Sequence, residues 1–111
     1  MTDPNERSKT LSEMTLEERV AFVKDVERFN KYRLKHPDEP VDLHEAYLDG
    51  AKLNGADLNV ADLSGANLTE AFGLTSASLV GVNWTGVRGV RREIVQASHL
   101  LTQATIAFAD D

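Results

Sequence analysis

Three histidines are the residues with which this chain of 111 residues could most readily bind a metal ion. His36, His44 and His99 fall in three different segments, and no two of them are three or four residues apart. A spacing of three or four residues would place two ligands on one face of a helix, and these histidines lack it. The chain also has no cysteine that could serve as a further ligand. The sequence therefore predicts neither a metal site nor a bound cofactor.

Catalytic chemistry has little more support in the sequence. His44 and Glu45 are adjacent and could act as an acid and a base, but we expect both side chains to point into water. No combination of Ser, His and an acid carries the local signature of a hydrolase. The glycine-rich stretch 81–89 lacks the Lys-Ser/Thr ending of a phosphate-binding loop. These observations predict that the protein is not an enzyme.

The acidic residues are more informative, because their distribution along the chain is uneven. The formal net charge is -6, and residues 41–87 carry six acids against a single base, Lys52. We predict that the six acids form a partner-binding surface; they are Asp42, Glu45, Asp49, Asp57, Asp62 and Glu70. A second interpretation stays open, in which these acids belong to a repeated sequence pattern and keep the protein soluble.

A small basic cluster follows the acidic segment. Arg88, Arg91 and Arg92 could together bind a phosphate group, and Glu93 lies beside them in the sequence. The sequence favours a solvated cap at this place over a phosphate site.

The acids are set within a repeat whose period is five residues. Leucine occurs at every fifth position from Leu43 to Leu68, and alanine stands two residues before each of the last five leucines. On an α-helix, steps of five turn a residue by roughly 140°, so the leucines would spread over every face. On a straight strand, odd steps would alternate them between core and water. We therefore predict a short extended stretch with Ala and Leu inward, then a turn, in each repeat.

The register of this repeat slips by one residue after Leu68. The next inward residue is Leu74, and Leu79 and Trp84 follow at intervals of five, so we predict a bulge at residues 71–73. Five of the seven glycines lie two residues after an inward apolar residue. A turn at that position requires a permissive backbone.

The units 56–60, 61–65 and 66–70 read ADLNV, ADLSG and ANLTE, and they resemble the repeat of the pentapeptide-repeat family. The resemblance covers residues 41–87. It implies an all-β solenoid, the right-handed quadrilateral β-helix, in which four repeats make one coil of about twenty residues. It also implies that the C-terminal ends of two chains commonly pair in a homodimer. Dimer or cap contacts are expected from Trp84 and from the exposed residues Val87, Val90 and Leu100.

An amphipathic helix is predicted before the repeats. Apolar residues recur at steps of four and three, at Leu16, Val20, Val23, Val26 and Phe29. Thr15 and Glu18 have the spacing of a capping box, and Pro37 ends the helix. We expect this helix to cover the open edge of the first coil. A dedicated partner-binding helix is the alternative.

The length of the chain allows one domain. We divide it into a frayed N-terminus (1–14), the N-terminal helix (15–36), the repeats (41–87) and a C-terminal cap with a short helix (88–111). The N-terminus has no apolar run like that of a signal peptide, and no stretch is long enough to cross a bilayer. Together with the lack of cysteine, these features predict a soluble, cytoplasmic protein.

The resemblance also implies two classes of function. Some pentapeptide-repeat proteins resemble a DNA duplex in width and charge, and the family includes proteins that bind DNA gyrase. We therefore predict an acidic DNA mimic that binds the basic groove of a gyrase-type topoisomerase or of a defence complex, as anti-CRISPR and anti-restriction inhibitors do. The alternative is a general interaction, adaptor or effector module that uses a solenoid wall or the N-terminal helix. Neither hypothesis involves direct binding of nucleic acid or of a membrane.

Overall fold

The computed structural model of the chain describes residues 9–97 and 107–108. A short 3-10 helix, Leu11–Glu13, precedes two α-helices, α1 (Leu16–Lys24) and α2 (Val26–Lys35). After the repeats come β1 (Arg88–Val90), α3 (Arg92–Ala97) and β2 (Ala107–Phe108). The two strands pair in parallel.

The prediction of an all-β fold is wrong. Regular structure in the described residues consists of three α-helices of 9, 10 and 6 residues, against two strands of 3 and 2 residues. Within residues 41–87 the chain forms isolated bridges and turns but no regular strand. The reason is the repeat length, because a five-residue repeat that spends two residues in a turn has no room for consecutive strand pairs. The chain is therefore a mixture of helices and bridged turns, not a right-handed quadrilateral β-helix built of strands.

Parallel bridges hold the repeats together by joining residues that lie far apart in the sequence. Asp42 and Asp62 form one such pair. The N–H of Leu43 donates to the carbonyl of Asp62, and the N–H of Asp62 donates to the carbonyl of Val41, both at 2.8 Å. We call the passage from one residue to its bridge partner a coil.

The length of a coil changes once along the chain. Up to Phe72 the bridged residues are separated by four repeats of five, whereas Asp57 pairs with Ser78, one residue further on. The additional residue lies in a turn where the N–H of Ala77 donates to the carbonyl of Gly73 at 3.1 Å. The slip of one residue is confirmed, and the turn that accommodates it begins at the end of the predicted bulge.

Alanine and leucine point inward in the repeats, as the period predicts. In each repeat the alanine precedes the bridged residue and the leucine follows it. Because side chains alternate along an extended backbone, the alanine and the leucine face the same way. The leucines of the repeat are all buried, with exposed fractions of 0 or 1%: Leu43, Leu48, Leu53, Leu58, Leu63 and Leu68. The core is therefore an aliphatic stack that needs few aromatic rings.

Each of these repeats closes with a four-residue turn. The N–H of Ala46 donates to the carbonyl of Leu43 at 3.0 Å, and the residue before the alanine has a positive φ. Glycine adopts this conformation without steric strain, and five glycines at this turn position have φ between 67° and 76°. Glu45, Val60 and Glu70 adopt the same conformation, with φ of 60°, 57° and 57°. The turn geometry is thus maintained even where its residue carries a side chain.

Two helices stand where the sequence predicts one. α1 begins after Thr15, whose side chain accepts a hydrogen bond from the N–H of Glu18, as the capping box predicts. The helix is interrupted at Asp25, which caps α2 by accepting from the N–H of Arg28. The predicted apolar stripe packs on the core. Val23 and Phe29 are buried, and three further residues are partly buried: Leu16, Val20 and Val26.

The described part of the N-terminal segment differs from the frayed terminus predicted for residues 1–14. Leu11 is 1% exposed, and its N–H donates to the hydroxyl of Tyr32 at 3.2 Å. Lys9 forms a salt bridge with Glu18 at 2.6 Å. Residues 1–8 lie outside the described residues.

Side chains of α2 bond to backbone groups on the open edge of the first coil. The Nδ2 of Asn30 donates to the carbonyl of Gly55, and its Oδ1 accepts from the N–H of Asp57, both at 2.8 Å. Arg33 donates to the carbonyl of Asn59 at 2.8 Å. These contacts satisfy edge groups that would otherwise be available for pairing with another chain. The helices therefore occupy the place that the sequence predicts for a cap.

Replacing Asn30 with alanine tests this cap. The change removes the protein partners of the Gly55 carbonyl and the Asp57 N–H, so we expect the free energy of unfolding to fall by about 1 to 3 kcal/mol. Lys31→Ala is the matched control, because Lys31 is exposed on the same helix and should change stability by no more than about 0.5 kcal/mol. Urea unfolding followed by circular dichroism measures both. Equal stability of the two variants would contradict the cap contacts.

Enlarging Ala61 tests the inward register of the repeats. Ala61 is fully buried in the stack, so Ala61→Leu should lower the free energy of unfolding by about 1 to 3 kcal/mol through overpacking. Ala21→Leu, at an exposed position of α1, is the control. If Ala61→Leu melted at the wild-type temperature, the assignment of this alanine to the core would be wrong.

Candidate interaction surface

The second residue of each repeat points away from the core, and the bridges align these residues in columns. There are four such columns in the described repeats: Asp42, Asp62 and Asn83 (first); Tyr47, Asn67 and Arg88 (second); Lys52 and Phe72 (third); Asp57 and Ser78 (fourth). Paired backbones lie about 4.8 Å apart. Residues of one column are therefore close neighbours although a whole coil separates them in the sequence.

Asp and Asn side chains in these columns bond back to their own repeat. The Oδ1 of Asp62 accepts hydrogen bonds from the N–H of Ser64 at 2.9 Å and from its hydroxyl at 2.6 Å. Asn67 accepts the same pair of bonds from Thr69 at 3.0 and 2.6 Å. This is an Asx turn, in which a side-chain oxygen replaces a backbone acceptor.

Sequence reasoning missed this structural role of the acids, although a signal for it is present. Either Asp or Asn stands at several second repeat positions, and Ser or Thr stands two residues after three of them, at Ser64, Thr69 and Thr85. An amide oxygen accepts these bonds as a carboxylate does, so the turn requires the oxygen and not the charge. The negative charge of Asp62 is consequently not needed for its turn.

The six predicted acids do not all lie on the same side of the repeats. Asp57 is in the fourth column, where its carboxylate lies 3.8 Å from the guanidinium of Arg33 in the cap. The other five acids belong to the repeats of the first and second columns. We call these five residues the acidic surface: Asp42, Glu45, Asp49, Asp62 and Glu70.

The acidic surface is open to solvent. Glu45, Asp49 and Glu70 are exposed, and Asp42 and Asp62 are partly exposed. Within residues 9–97 and 107–108, no lysine or arginine forms a salt bridge with any of the five. The described residues thus leave the charge of this surface without a paired lysine or arginine.

His44 lies within the acidic surface and pairs with Asp42. Its Nδ1 is 2.6 Å from the Oδ1 of Asp42, which also accepts the backbone N–H of His44 at 3.2 Å. The side-chain hydrogen bond raises the pKa of His44 above its ordinary value and lowers the pKa of Asp42. Between these two pKa values both groups are charged. The ion pair is lost when the pH rises through the pKa of His44 or falls through the pKa of Asp42.

The residues predicted for dimer or cap contacts are mostly buried within this chain. Trp84 and Val87 are 0% exposed and Val90 is 1% exposed, so the expectation that Val87 and Val90 are exposed is wrong. Both valines belong to the same core as the buried residues of α3. Leu100 lies outside the described residues. Pairing of two chains through this end stays a prediction.

The basic cluster and the glycine-rich stretch lie at the last repeats. Gly81 and Gly86 occupy turn positions with positive φ, as predicted. Arg88 and Arg91 are exposed, and Arg88 ends the second column. Arg92 is the first residue of α3, and its side chain lies outside the described residues.

Comparison with known proteins identifies the repeats. A family model described as pentapeptide repeats (8 copies) matches residues 42–72. This match covers 31 of the 111 residues and confirms the predicted resemblance to the pentapeptide-repeat family. Repeats of this family indicate a protein-interaction module, and the family is generally non-enzymatic. Searches of curated proteins and of solved structures found no match.

No helix within residues 9–97 and 107–108 combines the length and the apolar character that a membrane span needs.

Two substitutions of Asp62 separate its charge from its hydrogen bonds. Asp62→Asn keeps an oxygen that can accept from Ser64, so we expect its free energy of unfolding to change by no more than about 0.5 kcal/mol. Asp62→Ala removes both bonds and should cost about 1 to 2 kcal/mol. Urea unfolding measures the difference. Equal destabilisation by the two changes would show that the charge, and not the oxygen, supports the turn.

Proposed function

We propose that this protein is a non-enzymatic DNA mimic, which binds the basic groove of a DNA-binding protein through its acidic surface. The observation that carries the proposal is the grouping of five carboxylates in the repeats that contribute to two neighbouring columns. Their charges are not paired with lysine or arginine within the described residues. Apart from Asp42, which pairs with His44, they are therefore available to a cationic partner.

The charge density of the acidic surface supports mimicry. A duplex carries one negative charge per about 1.7 Å of its axis, so about 10 Å of duplex presents roughly six phosphates. Two coils occupy about 10 Å at the spacing of paired backbones. Five acids lie on two successive coils of this chain, which is a comparable density.

The rigidity and the width of the protein also support this function. Asx turns already orient the carboxylates of Asp42 and Asp62. These two side chains would therefore lose little conformational entropy when a partner binds. The molecule measures 23 and 22 Å across its long axis, which is close to the width of a duplex.

The length of the acidic surface bears on the kind of target. About 10 Å corresponds to roughly three base pairs at the rise of a duplex. A mimic this short fits a groove that holds a few base pairs better than an extended track. We therefore favour a defence complex, the target of anti-CRISPR and anti-restriction inhibitors, over a gyrase-type topoisomerase.

A second candidate function is a general interaction module that docks through apolar side chains. Val60 is 71% and Val80 is 65% exposed, and they lie on neighbouring coils, where the N–H of Val60 donates to the carbonyl of Val80 at 2.7 Å. Tyr47 and Phe72 are exposed as well. An apolar contact of this kind would persist in salt, whereas binding by a mimic would weaken.

Neutralising the acidic surface distinguishes the two functions. The neutralised variant combines five changes that keep side-chain size and a hydrogen-bonding oxygen: Asp42→Asn, Glu45→Gln, Asp49→Asn, Asp62→Asn and Glu70→Gln. The matched control removes the same number of charges from exposed acids elsewhere: Glu17→Gln, Asp25→Asn, Glu27→Gln, Asp38→Asn and Glu93→Gln. Each protein is immobilised and exposed to a bacterial lysate, and retained proteins are eluted with a short DNA duplex.

We expect the wild-type protein and the control to retain a DNA-binding protein that the duplex elutes. The neutralised variant should bind the same protein at least about tenfold more weakly, and the wild-type affinity should fall steeply between about 50 and 200 mM salt. Retention that survives neutralisation and salt would contradict mimicry. In that case, loss of binding in Val60→Asn and Val80→Ser would assign the function to the apolar residues.

A further inference from the structure

The winding of the chain places Asp62 beside Asp42 and His44, two potential metal ligands that precede it in the sequence by about one coil. One donor atom from each of Asp42, His44 and Asp62 lies within 4.8 Å of the other two. The spacing of the histidines alone predicts no metal site, because it takes no account of neighbours on the next coil. The bridge between Asp42 and Asp62 supplies that neighbour.

We propose that Asp42, His44 and Asp62 bind a divalent first-row transition-metal ion such as Zn²⁺, with water completing its coordination. The donors are one imidazole nitrogen and two carboxylate oxygens. Imidazole favours zinc, copper or nickel over magnesium and calcium, which prefer oxygen ligands alone. With three protein ligands, the fourth coordination position of a tetrahedral metal ion is left for water.

The backbone holds the two carboxylates of this site in place before any ion binds. The Leu43 N–H donates to the carbonyl of Asp62, which fixes the separation of the two coils. Ser64 then orients the Asp62 side chain through two bonds that both end on Oδ1. The Oδ2 of Asp62 remains the natural donor to an ion, so coordination does not require the Asx turn to open.

The positions of the donor atoms suit zinc after a side-chain rotation. Zinc bonds of about 2.0 to 2.2 Å place two ligands of a tetrahedral site about 3.4 Å apart. The Nδ1 of His44 is now 2.6 Å from the Oδ1 of Asp42, and an ion between them would replace this hydrogen bond. The side chains of His44 and Asp42 are 53% and 46% exposed, so both can rotate without disturbing the core.

The charges around the site both favour and oppose a cation. Glu45, beside His44, adds a negative charge, whereas Arg19 donates to the main-chain carbonyl of Asp42 at 3.2 Å and adds a positive one. The site is also open to solvent, so we expect weaker binding than at a buried structural zinc site.

Calorimetric titration of the full chain with ZnCl₂ tests this proposal without reference to any protein partner. His44→Asn and Asp62→Asn each remove one ligand, and each should weaken Zn²⁺ binding by about tenfold or more. His36→Asn and His99→Asn remove the other two histidines and should leave the affinity within about twofold of wild type. Circular dichroism of the variants checks that the fold is retained.

Nuclear magnetic resonance of the wild-type imidazoles provides a second readout that needs no variant to fold. Addition of Zn²⁺ should shift the ring signals of His44 and leave those of His36 and His99 in place, while an equal concentration of Mg²⁺ should shift none. Affinity unchanged by both His44→Asn and Asp62→Asn would overturn the proposal. So would the absence of heat and of any His44 shift at millimolar Zn²⁺.

Discussion

Hydrogen bonds between one coil and the next are the interaction on which the rest of the structure depends. A repeat contributes one bridged residue, and apart from the local turn bond its backbone pairs only after the chain has passed through a whole coil. The bonds that join Leu43 to Asp62 and Asp62 to Val41 also set the stacking of the buried leucines and alanines. Backbone pairing and burial of the core therefore require the same register. An additional residue is accommodated near Gly73 because a turn, and not a bridged residue, contains it.

Coil-to-coil pairing leaves backbone groups on one edge of the first coil unpaired. Side chains of the N-terminal helices form hydrogen bonds with these groups. Asn30 offers one donor and one acceptor to the edge, as a peptide group of a preceding coil would. Arg33 is 5% exposed, donates to the carbonyls of Glu39 and Asn59, and lies close to the carboxylate of Asp57. A buried guanidinium requires such partners. The carboxylate of Asp57 therefore has a role within the fold, which separates it from the other acids of the repeats.

What could be predicted from the sequence is what a single repeat determines. The inward leucines, the turns with positive φ and the slip near residues 71–73 follow from the period of five and from turn chemistry. The burial of Leu11 could not be predicted in this way, because it depends on a contact with Tyr32, and the break of the helix at Asp25 lies outside what the repeat determines. The fold class failed for a related reason. The resemblance implied an all-β solenoid, whereas the length of the repeat allows only isolated bridges.

The candidate site also has a part that repeat chemistry explains and a part that it does not. The difference concerns the positions of the acids. Turn chemistry explains an oxygen at the second position of a repeat, and Asn67 and Asn83 show that an amide suffices. It does not explain the charges of Asp42 and Asp62. Solubility would be served equally by acids in any column, yet the third column carries Lys52 and Phe72. Asp42 and Asp62 instead lie on the first column, and His44 is close to both of them. The proposed cationic ligand, whether a basic protein groove or a metal ion, would account for this placement, which turn chemistry and solubility do not explain.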